Sequence, residues 1–428
     1  MKNYKITIIA LALFFLSIVT YAQKTIIHCG LLIDGVSDKS QKEMTIVVEN
    51  DQIISVEKGY KSASANEKII DLKNKTVMPG LMDMHVHIEG QTSPDKYIKG
   101  FTQDKVDVAY DAAVYANTTL MAGFTTVRDM GGSGVNTALR DAIKAGKVPG
   151  PRIYSAGKAI GTTGGHADPT NGYRSDLMGD PGPKEGVING PWEARKAVRQ
   201  RYKNGADVIK ITATGGVLSV AKDGSGPQFA IEELRAIVET ANEYGMITAA
   251  HAHGAEGMKR AVEAGITSIE HGTMMTPEVM ELMKKHGTYY VPTITAGKFV
   301  AEKAKIEGYY PALVVPKALE IGPKIQNTFK QAYEAGVKIA FGTDAAVFPH
   351  GENGKEFGYM VEVGMKPMEA IKSATIVAAT MLKVQDQLGS IEKGKKADIV
   401  AVDENPLENI AAMTNVTFVM KDGTVYKQ

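Results

Sequence analysis

The segment Pro79–His87 reads Pro-Gly-Leu-Met-Asp-Met-His-Val-His, and the apolar, β-prone residues Thr76–Met78 lead into it. Apolar side chains then alternate with Asp83, His85 and His87, which is the pattern of a strand. Residues two apart on a strand project from the same face, so His85 and His87 are expected side by side where this strand ends. Two neighbouring imidazoles supply half of a transition-metal site, although a half-exposed strand with two polar residues would show the same alternation.

The composition of the chain is that of a globular protein: 428 residues, 23% charged and 44% hydrophobic, with a formal net charge of +1. This length accommodates one large barrel or two to three domains. A charge so close to neutral argues against a nucleic-acid or membrane-surface partner held by bulk electrostatics. The single cysteine, Cys29, excludes an intrachain disulfide and a thiolate metal cluster, so a metal site here must use histidine and carboxylate ligands.

The first 22 residues have the pattern of a secretory signal. Lys2 and Lys5 form a basic end, Ile6–Val19 is an almost uninterrupted apolar run, and small residues close the segment. The 14 apolar residues are fewer than the ~20 that a membrane-spanning helix needs, which favours cleavage over a membrane anchor. We therefore predict that residues 1–22 are a cleaved signal peptide, that the mature protein is secreted or periplasmic, and that it keeps no stable membrane span.

Both ends of the remaining chain are rich in short β-prone segments separated by turn residues. These segments are Thr25–Ile27, Thr45–Val48 and Gln52–Val56 near the start, and Ala397–Val402 and Val416–Met420 near the end. The economical interpretation is a small β-sandwich built from residues 23–78 and 385–428, with a larger domain, residues 79–384, inserted between its two parts.

Within the inserted domain, strand-like and helix-like patterns alternate. The eight strand candidates are Val77–His87, Thr125–Arg128, Arg152–Ala156, Asp207–Thr212, Ile247–His251, Ser268–His271, Thr288–Val291 and Lys338–Phe341. Helical patterns between them include Ala194–Tyr202, Ile231–Tyr244, Ala255–Ala264 and Pro277–His286. Eight strands alternating with helices predict an α/β fold of the (β/α)8 TIM-barrel type. A doubly wound sheet is the alternative, but the sequence lacks its glycine-rich dinucleotide fingerprint.

Polar side chains fall at the carboxyl ends of these strands. They are His85 and His87 on the first strand, Lys210 on the fourth, His251 on the fifth, His271 on the sixth and Asp344 after the eighth. The carboxyl ends of barrel strands share one mouth, so residues distant in sequence would meet there. Each residue alone has a structural interpretation: a lysine that snorkels to the surface, a core histidine or a capping aspartate. A lysine within a buried strand is costly unless it is paired, however, and a common site explains why all of them lie at one mouth.

This set of residues resembles the metal ligands of the amidohydrolase superfamily. The matching motifs are Pro-Gly-Leu-x-Asp-x-His-x-His at 79–87, Lys210, His251, His271, Gly-Thr-Asp at 342–344 and the closing stretch 388–398. Within the superfamily, the chain is most similar to the imidazolonepropionase-like, prolidase-type branch, through segments 125–129, 163–166, 214–217, 251–254, 269–273 and 350–353. The resemblance spans nearly the whole mature chain and implies a metal-dependent hydrolase in a TIM barrel.

The resemblance also implies a site with two divalent metal ions, with zinc as the expected metal. His85, His87 and Asp344 would bind one ion, and His251 and His271 the other. A CO2-derived carbamate on Lys210 would bridge the ions together with a hydroxide that attacks the scissile carbonyl. Asp344 would accept the proton of the attacking water and pass it to the leaving amine.

Four further residues are predicted near the substrate. His253 would polarise the scissile carbonyl, although support of a metal ligand is the alternative. His166 resembles the residue that meets the carboxylate of the substrate. Arg128 could bind the same carboxylate or pair with Asp129. His350 could line the pocket.

The function implied by the resemblance is cleavage of the amide bond of a small molecule, an Xaa-Pro-like dipeptide or an N-acyl amino acid. The segment Leu218–Gln228 has no counterpart in the branch that we can map, so the preferred side chain stays open. The enzymatic alternatives are a cyclic amide or lactam hydrolase, which shares the metal residues, and a mononuclear deaminase, which dispenses with Lys210. A binding or structural protein on an inactive barrel would lack metal ligands, and none is missing from this sequence. A homo-oligomer is compatible with the sequence.

Overall fold

The computed structural model describes residues 24–428. The predicted signal over residues 1–22 lies outside the described residues, so its cleavage and the export of the protein stay predictions. In the described part of the chain, no helix is both long enough and apolar enough to cross a membrane.

Strands lie at both ends of the described chain and alternate with helices between them. The strands are β1 (Thr25–Leu32), β2 (Gln41–Glu49), β3 (Gln52–Lys58), β4 (Lys68–Pro79), β5 (Leu81–Val86), β6 (Phe124–Asp129), β7 (Arg152–Ser155), β8 (Val208–Thr212), β9 (Ile247–Ala252), β10 (Ser268–His271), β11 (Tyr289–Val291), β12 (Ile399–Val402), β13 (Val416–Lys421) and β14 (Thr424–Lys427). The helices are α1 (Lys96–Thr102), α2 (Lys105–Met121), α3 (Val135–Lys144), α4 (Ser175–Met178), α5 (Pro191–Lys203), α6 (Ile231–Glu243), α7 (Ala255–Glu263), α8 (Pro277–His286), α9 (Ile294–Lys303), α10 (Val315–Ile321), α11 (Ile325–Glu334), α12 (Lys355–Glu362), α13 (Pro367–Ser373) and α14 (Ile376–Met381).

Strands from both ends of the chain form one seven-stranded sheet, in the order β14-β13-β12-β4-β1-β2-β3. At its centre, β4 pairs in parallel with β1 and antiparallel with β12, which returns from the other end of the chain. Apolar side chains from both ends, such as Ile27, Leu72 and Phe418, share one buried cluster. The two ends of the chain are therefore held together, while the predicted sandwich with boundaries at 23–78 and 385–428 stays a prediction.

The predicted strand Val77–His87 is two strands in two different sheets. β4 ends at Pro79 in the seven-stranded sheet, and β5 begins at Leu81 in a parallel sheet. Gly80 separates them, and a Cβ atom at this position would lie 2.2 Å from Thr125 Oγ1. Only glycine allows the chain to pass so close to β6, so the change of sheet occurs at this residue.

Two parallel sheets lie in the middle of the chain, with the strand orders β5-β6-β7 and β8-β9-β10-β11. Helices in the sequence between these strands give the region its α/β character. Residues 338–341, predicted as the eighth strand, make an isolated parallel bridge from Ile339 to Tyr290 instead of a regular strand. Further isolated bridges join Ile160 to Ile211 and Val86 to Ala345. Among residues 24–428, the eight predicted strands therefore do not form one continuous sheet.

Candidate active site

Eight of the ten predicted site residues line one cavity at the carboxyl ends of the parallel strands. The cavity has a volume of about 690 Å³. The predicted residues in its wall are His85, His87, His166, Lys210, His251, His253, His271 and Asp344. The structure thus brings together residues that are up to 259 positions apart (344 − 85). The two that it leaves out are Arg128 and His350.

The tightest group in this cavity consists of His85, His271 and Asp344, whose ligand atoms lie within 4.8 Å of one another. Asp344 Oδ1 lies 3.6 Å from His85 Nε2 and 3.5 Å from His87 Nε2. Among the described residues, His85 Nε2 and Asp344 Oδ1 are buried and have no hydrogen-bond partner. Unpaired buried polar atoms are costly and rare, so two of them at one place indicate a binding position for a ligand such as a metal ion.

The imidazoles of His251 and His271 lie next to this group. The ring centroid of His271 lies 4.9 Å from that of His85 and 4.6 Å from that of His251. Lys210 lies on β8, which pairs with β9, the strand that carries His251. Its side chain is buried in the wall of the same cavity. The buried amine of Lys210 therefore shares the cavity with the four imidazoles and the carboxylate of the metal-ligand candidates.

Hydrogen bonds to Nδ1 orient His85, which lies on β5, and His87, which follows the end of β5. Nδ1 of His85 lies 2.8 Å from Glu270 Oε2, and Nδ1 of His87 lies 2.8 Å from the carbonyl oxygen of Gly131. Both contacts are to acceptors, so each Nδ1 carries the proton. Nε2 of each ring is then the lone-pair nitrogen, and it faces Asp344.

The other two ligand candidates are oriented in the same manner. Nδ1 of His271 lies 2.7 Å from Thr293 Oγ1, which leaves Nε2 for the cluster. His251 is held through its other nitrogen, because Nε2 lies 3.1 Å from the carbonyl oxygen of Gly215. The atom that His251 can offer is therefore Nδ1. Outer contacts of this kind are typical of metal-binding histidines.

Backbone strain is concentrated at the same place. His271, Thr293 and Asp344 have left-handed φ angles of 68°, 55° and 61°. For residues other than glycine, this conformation costs ~1–3 kcal/mol each and persists where the surroundings enforce it. Here the Tyr290 hydroxyl donates to the His271 carbonyl oxygen at 2.8 Å, and Asp344 N donates to the His85 carbonyl oxygen at 2.7 Å. The fold thus uses strained backbone to direct these side chains into the cavity.

Burial keeps the histidines of the cluster neutral. It lowers the pKa of His87 to about 3 and holds the pKa values of His85, His251 and His271 well below 6.5. Neighbouring positive groups, including Lys210, lower these pKa values further. A neutral imidazole has the lone pair that a metal ion requires.

Burial acts in opposite directions on the amine and the carboxylate of the site. It lowers the pKa of Lys210 to about 8, against the opposing effect of Glu270 and Asp344. It raises the pKa of Asp344 to about 7, against the opposing effect of Lys210. Burial thus moves the pKa values of both groups toward neutral pH, which suits residues that take part in chemistry.

Arg128 lies outside the cavity wall and is bonded into the protein interior, which argues against the predicted contact with the substrate. Its side chain is fully buried and outside the cavity wall. Nη2 donates to Glu270 Oε1 at 2.7 Å, Nε donates to the Met84 carbonyl oxygen at 2.7 Å, and Nη1 donates to Ser268 Oγ at 3.0 Å. All three nitrogens of the guanidinium are thus engaged in hydrogen bonds within the protein. The alternative pairing with Asp129 is wrong as well, because Glu270 is the ion-pair partner.

Glu270 is a buried charged residue beside the candidate site that the sequence analysis missed. It connects Arg128 to His85, so its carboxylate balances the buried guanidinium and fixes the ring of a metal-ligand candidate. A signal was present in the segment Ser268–His271, where an acidic residue interrupts a buried strand. The same criterion, a charge within a buried strand, had identified Lys210.

Glu270→Gln is expected to weaken metal binding by about 10- to 100-fold, because Gln keeps the shape but loses the charge that holds His85. The measurement is a competition titration of metal affinity, which needs no substrate. Glu356→Gln is the matched control. Glu356 is equally buried, but its carboxylate accepts from Ile294 N and Thr295 N, and its hydrogen-bond partners within residues 24–428 include no histidine. An unchanged metal affinity in Glu270→Gln would contradict this role.

His350 does not line the cavity, which corrects the second prediction. Its Nε2 lies 2.9 Å from the Gly90 carbonyl oxygen, and its Nδ1 lies 3.3 Å from Thr119 Oγ1. The ring also stacks on Tyr115, with 5.0 Å between the ring centroids. Both nitrogens and one face are thus engaged in packing.

His166 and His253 do line the cavity, and both lie next to His251. The ring centroid of His166 lies 4.3 Å from that of His251, and the ring centroid of His253 lies 4.7 Å from it. His253 Nδ1 lies 2.9 Å from Thr273 Oγ1, so Nε2 is its free nitrogen toward the cavity. Within residues 24–428, His166 Nδ1 is buried without a hydrogen-bond partner. Both residues are therefore placed to contact a bound molecule.

Comparison with known proteins agrees with this geometry. Residues 76–426 match the amidohydrolase family. A solved structure of a Xaa-Pro dipeptidase with methionine bound in its active site is 56% identical, with a TM-score of 0.92, over 95% of this chain and 100% of that chain. A solved prolidase complexed with N-methylphosphonate-L-proline is 33% identical, with a TM-score of 0.86, over 95% of this chain and 100% of that chain. The ochratoxinase of Aspergillus niger is 34% identical over 95% of this chain and 87% of its own length.

These matches cover almost all of the described chain, and they confirm the resemblance to the prolidase-type branch that the motifs predicted. The chain therefore belongs to the amidohydrolase family and is a hydrolase that acts on C–N amide bonds.

Proposed function

We propose that this protein hydrolyses the amide bond of an Xaa-Pro-like dipeptide or of an N-acyl amino acid at a binuclear metal centre. The observation that carries the proposal is the convergence of four imidazoles, a carboxylate and a buried lysine on one cavity, with two ligand atoms that lack any other partner among the described residues. The similarity to a Xaa-Pro dipeptidase and to a prolidase supports the substrate class.

We also infer that the two parallel sheets close into a (β/α)8 barrel, with residues 338–341 as the eighth strand. Backbone hydrogen bonds across the gaps support this closure. Ala340 N donates to the Tyr290 carbonyl oxygen at 2.9 Å, and Met84 N donates to the Phe341 carbonyl oxygen at 2.9 Å. On the other side, Ile160 N donates to the carbonyl oxygen of Lys210 at 2.8 Å. A closed barrel would give all the ligands one rigid mouth.

The donor set fits a pair of divalent ions. His85, His87 and Asp344 would hold one ion, and His251 and His271 the other, and these are ligands that zinc accepts. Lys210, as a carbamate, would supply a shared anionic ligand. The lowered pKa of Lys210 favours the carbamate, because only the neutral amine nitrogen attacks the carbon of CO2, with release of one proton.

The residues of the cavity divide the chemistry between them. When bound, the metals would polarise the scissile carbonyl and lower the pKa of the attacking water. Asp344 would accept the proton of that water and deliver it to the nitrogen of the leaving amine. His253 would donate from Nε2 to the carbonyl oxygen, where negative charge develops, because Thr273 holds its Nδ1.

The substrate class is tested through the C-terminal carboxylate of the dipeptide. We expect amidation of this carboxylate to lower kcat/KM by about 30-fold or more, equivalent to ~2 kcal/mol, because a charge-assisted hydrogen bond is lost. His166 is the expected partner of the carboxylate, since its Nδ1 is unpaired in the cavity wall of the described chain. The measurement compares kcat/KM of the free acid and the amide, and His166→Ala should lose most of the preference.

His286→Ala is the control, because His286 is exposed and does not line the cavity. It should keep the preference of the wild type. If the wild type cleaves the free acid and the amide equally well, the carboxylate-anchored peptidase is ruled out. A cyclic amide or lactam hydrolase with the same metal residues would then be the better proposal.

A further inference from the structure

Lys317 of α10 is a buried cation that the chemistry above does not use. Its exposed fraction is 7%. Nζ donates to the carbonyl oxygens of Gly216 at 2.9 Å, Ser219 at 2.8 Å and Ala221 at 2.8 Å. An ammonium group has three donors and no acceptor, so three carbonyl oxygens satisfy it completely. Lys317 therefore binds this stretch of backbone as a charged group.

The backbone that Lys317 holds belongs to residues 214–228, which we call the 214–228 loop. It connects β8 to α6 without regular structure of its own, and loops of this length in compact domains are usually functional. Its two ends are joined, because Gly215 N donates to the Gly226 carbonyl oxygen at 3.0 Å. Tyr97 Oη donates to the Leu218 carbonyl oxygen at 3.0 Å. The loop is thus fixed mainly through its carbonyl groups.

One side of the 214–228 loop touches the candidate active site directly. The Gly215 carbonyl oxygen is the partner of His251 Nε2. Gly216 lies against the imidazole of His166, where a Cβ atom would come within 2.3 Å of the ring. This end of the loop is held by the bond from Gly215 N to the Gly226 carbonyl oxygen, so it depends less on Lys317 than the stretch from Val217 to Ala221 does.

The loop also supplies an apolar part of the cavity wall. Val217 and Leu218 line the cavity together with Val300, Ile321 and Ile325 from the α9–α11 region. The same loop residues pack into an apolar cluster that also includes Val314 and Ala318, which lie on either side of Lys317 in the sequence. The ammonium of Lys317 and this cluster thus fasten the loop to α10.

We propose that Lys317 is a positioning residue for substrate selection: its ammonium fixes the 214–228 loop so that Val217 and Leu218 form a wall for a large apolar side chain of the substrate. This inference rests on the proposed function for the identity of the substrate. Loss of the ammonium would leave three carbonyl oxygens without their partner, and the loop would move toward solvent. The apolar wall would then open while the metal ligands stay on their strands.

The test is Lys317→Met, which keeps the length and the apolar stem of the side chain. For a dipeptide with a large apolar first residue, such as Met-Pro, we expect kcat/KM to fall about tenfold, mainly through KM. For Gly-Pro, which has no side chain to contact the wall, kcat/KM should change less than about twofold. Amide hydrogen exchange within residues 214–228 should become faster, because the loop loses its anchor.

Lys421→Met is the matched control. Lys421 lies on β13 of the seven-stranded sheet, is equally buried, and donates to the Gly150 carbonyl oxygen. It should change neither selectivity nor loop exchange. Leu218→Ala should reproduce the loss of kcat/KM for Met-Pro without faster exchange of the loop. Lys317→Arg, compared with Lys317→Met, should restore part of the kcat/KM for Met-Pro and part of the slow exchange. If Lys317→Met fails to fold, Lys317→Arg tests the role of the ammonium and Leu218→Ala tests the role of the apolar wall.

Equal losses for Met-Pro and Gly-Pro, or unchanged exchange of the loop, would overturn the role of Lys317. Failure of the wild type to cleave any dipeptide would instead overturn the proposed function. The exchange measurement needs no substrate, so the two failures are distinguishable.

Discussion

Replacement of Lys210 by alanine is expected to remove most of the bound metal and to lower kcat/KM by about 10³-fold or more, because several kcal/mol of transition-state stabilisation depend on the metals. Two divalent ions at the ~3.5–4 Å separation of binuclear sites repel each other strongly unless an anion lies between them. The carbamate of Lys210 would be that anion, and alanine offers no replacement. The measurement is the metal content per chain, by elemental mass spectrometry after purification with zinc and bicarbonate, together with kcat/KM.

Two controls separate this effect from a general loss of folding. Lys421→Ala removes another buried lysine, far from the cavity wall in the seven-stranded sheet, and should keep both metals and activity. Short-chain carboxylates added to Lys210→Ala should restore part of the metal content, because they can take the place of the carbamate. A fully active Lys210→Ala protein, or a wild type that is fully active with one ion per chain, would contradict the binuclear centre and indicate a hydrolase that works with a single ion.

Asp344→Asn is expected to lower kcat by about 10²-fold or more while KM changes far less, because a general base is lost from a site that keeps its shape. Burial raises the pKa of Asp344 to about 7, so the carboxyl can take up and release a proton near neutral pH. An amide cannot accept that proton. The measurement is a comparison of kcat and KM, with the metal content of the variant recorded alongside.

The metal content distinguishes the two roles of Asp344. A lower kcat with both ions retained indicates the loss of the base, whereas parallel loss of metal indicates the loss of a ligand. If kcat is unchanged, Asp344 is only structural, and the proposed route of the proton from water to the leaving amine is wrong.

Local pattern predicted many elements of the fold correctly. The strand Ser268–His271 and the helix Pro277–His286 have the predicted bounds, and the helices α6 and α7 end within one residue of them. These elements have clear periodicity and end at a glycine or a turn. The predicted strand Lys338–Phe341 makes only one isolated bridge, from Ile339 to Tyr290, and the chain leaves the extended conformation soon after it, at Asp344 with its φ angle of 61°.

The sequence alone indicated the six metal-ligand candidates that the structure places in one cavity. His85, His87 and the other ligand candidates were identified because histidines and charged groups at the ends of apolar strands are recognisable from local spacing. The partners of these groups were not recognisable. Arg128 resembles a carboxylate-binding residue in sequence, and only the packing of β6 against its neighbours shows that Glu270 occupies its guanidinium.

What only the tertiary structure decided is which polar groups face the cavity and which ring nitrogen each histidine offers. His350 and His166 have similar sequence surroundings, each next to glycine, yet one is bonded into the packing and the other lines the cavity. Lys317 likewise shows no motif, because its three acceptors are backbone carbonyls about 100 residues earlier in the chain (317 − 216 = 101). Hydrogen bonds between distant segments depend on how the elements pack. Every residue has a backbone carbonyl, so the local sequence does not indicate which carbonyl a buried lysine will bind.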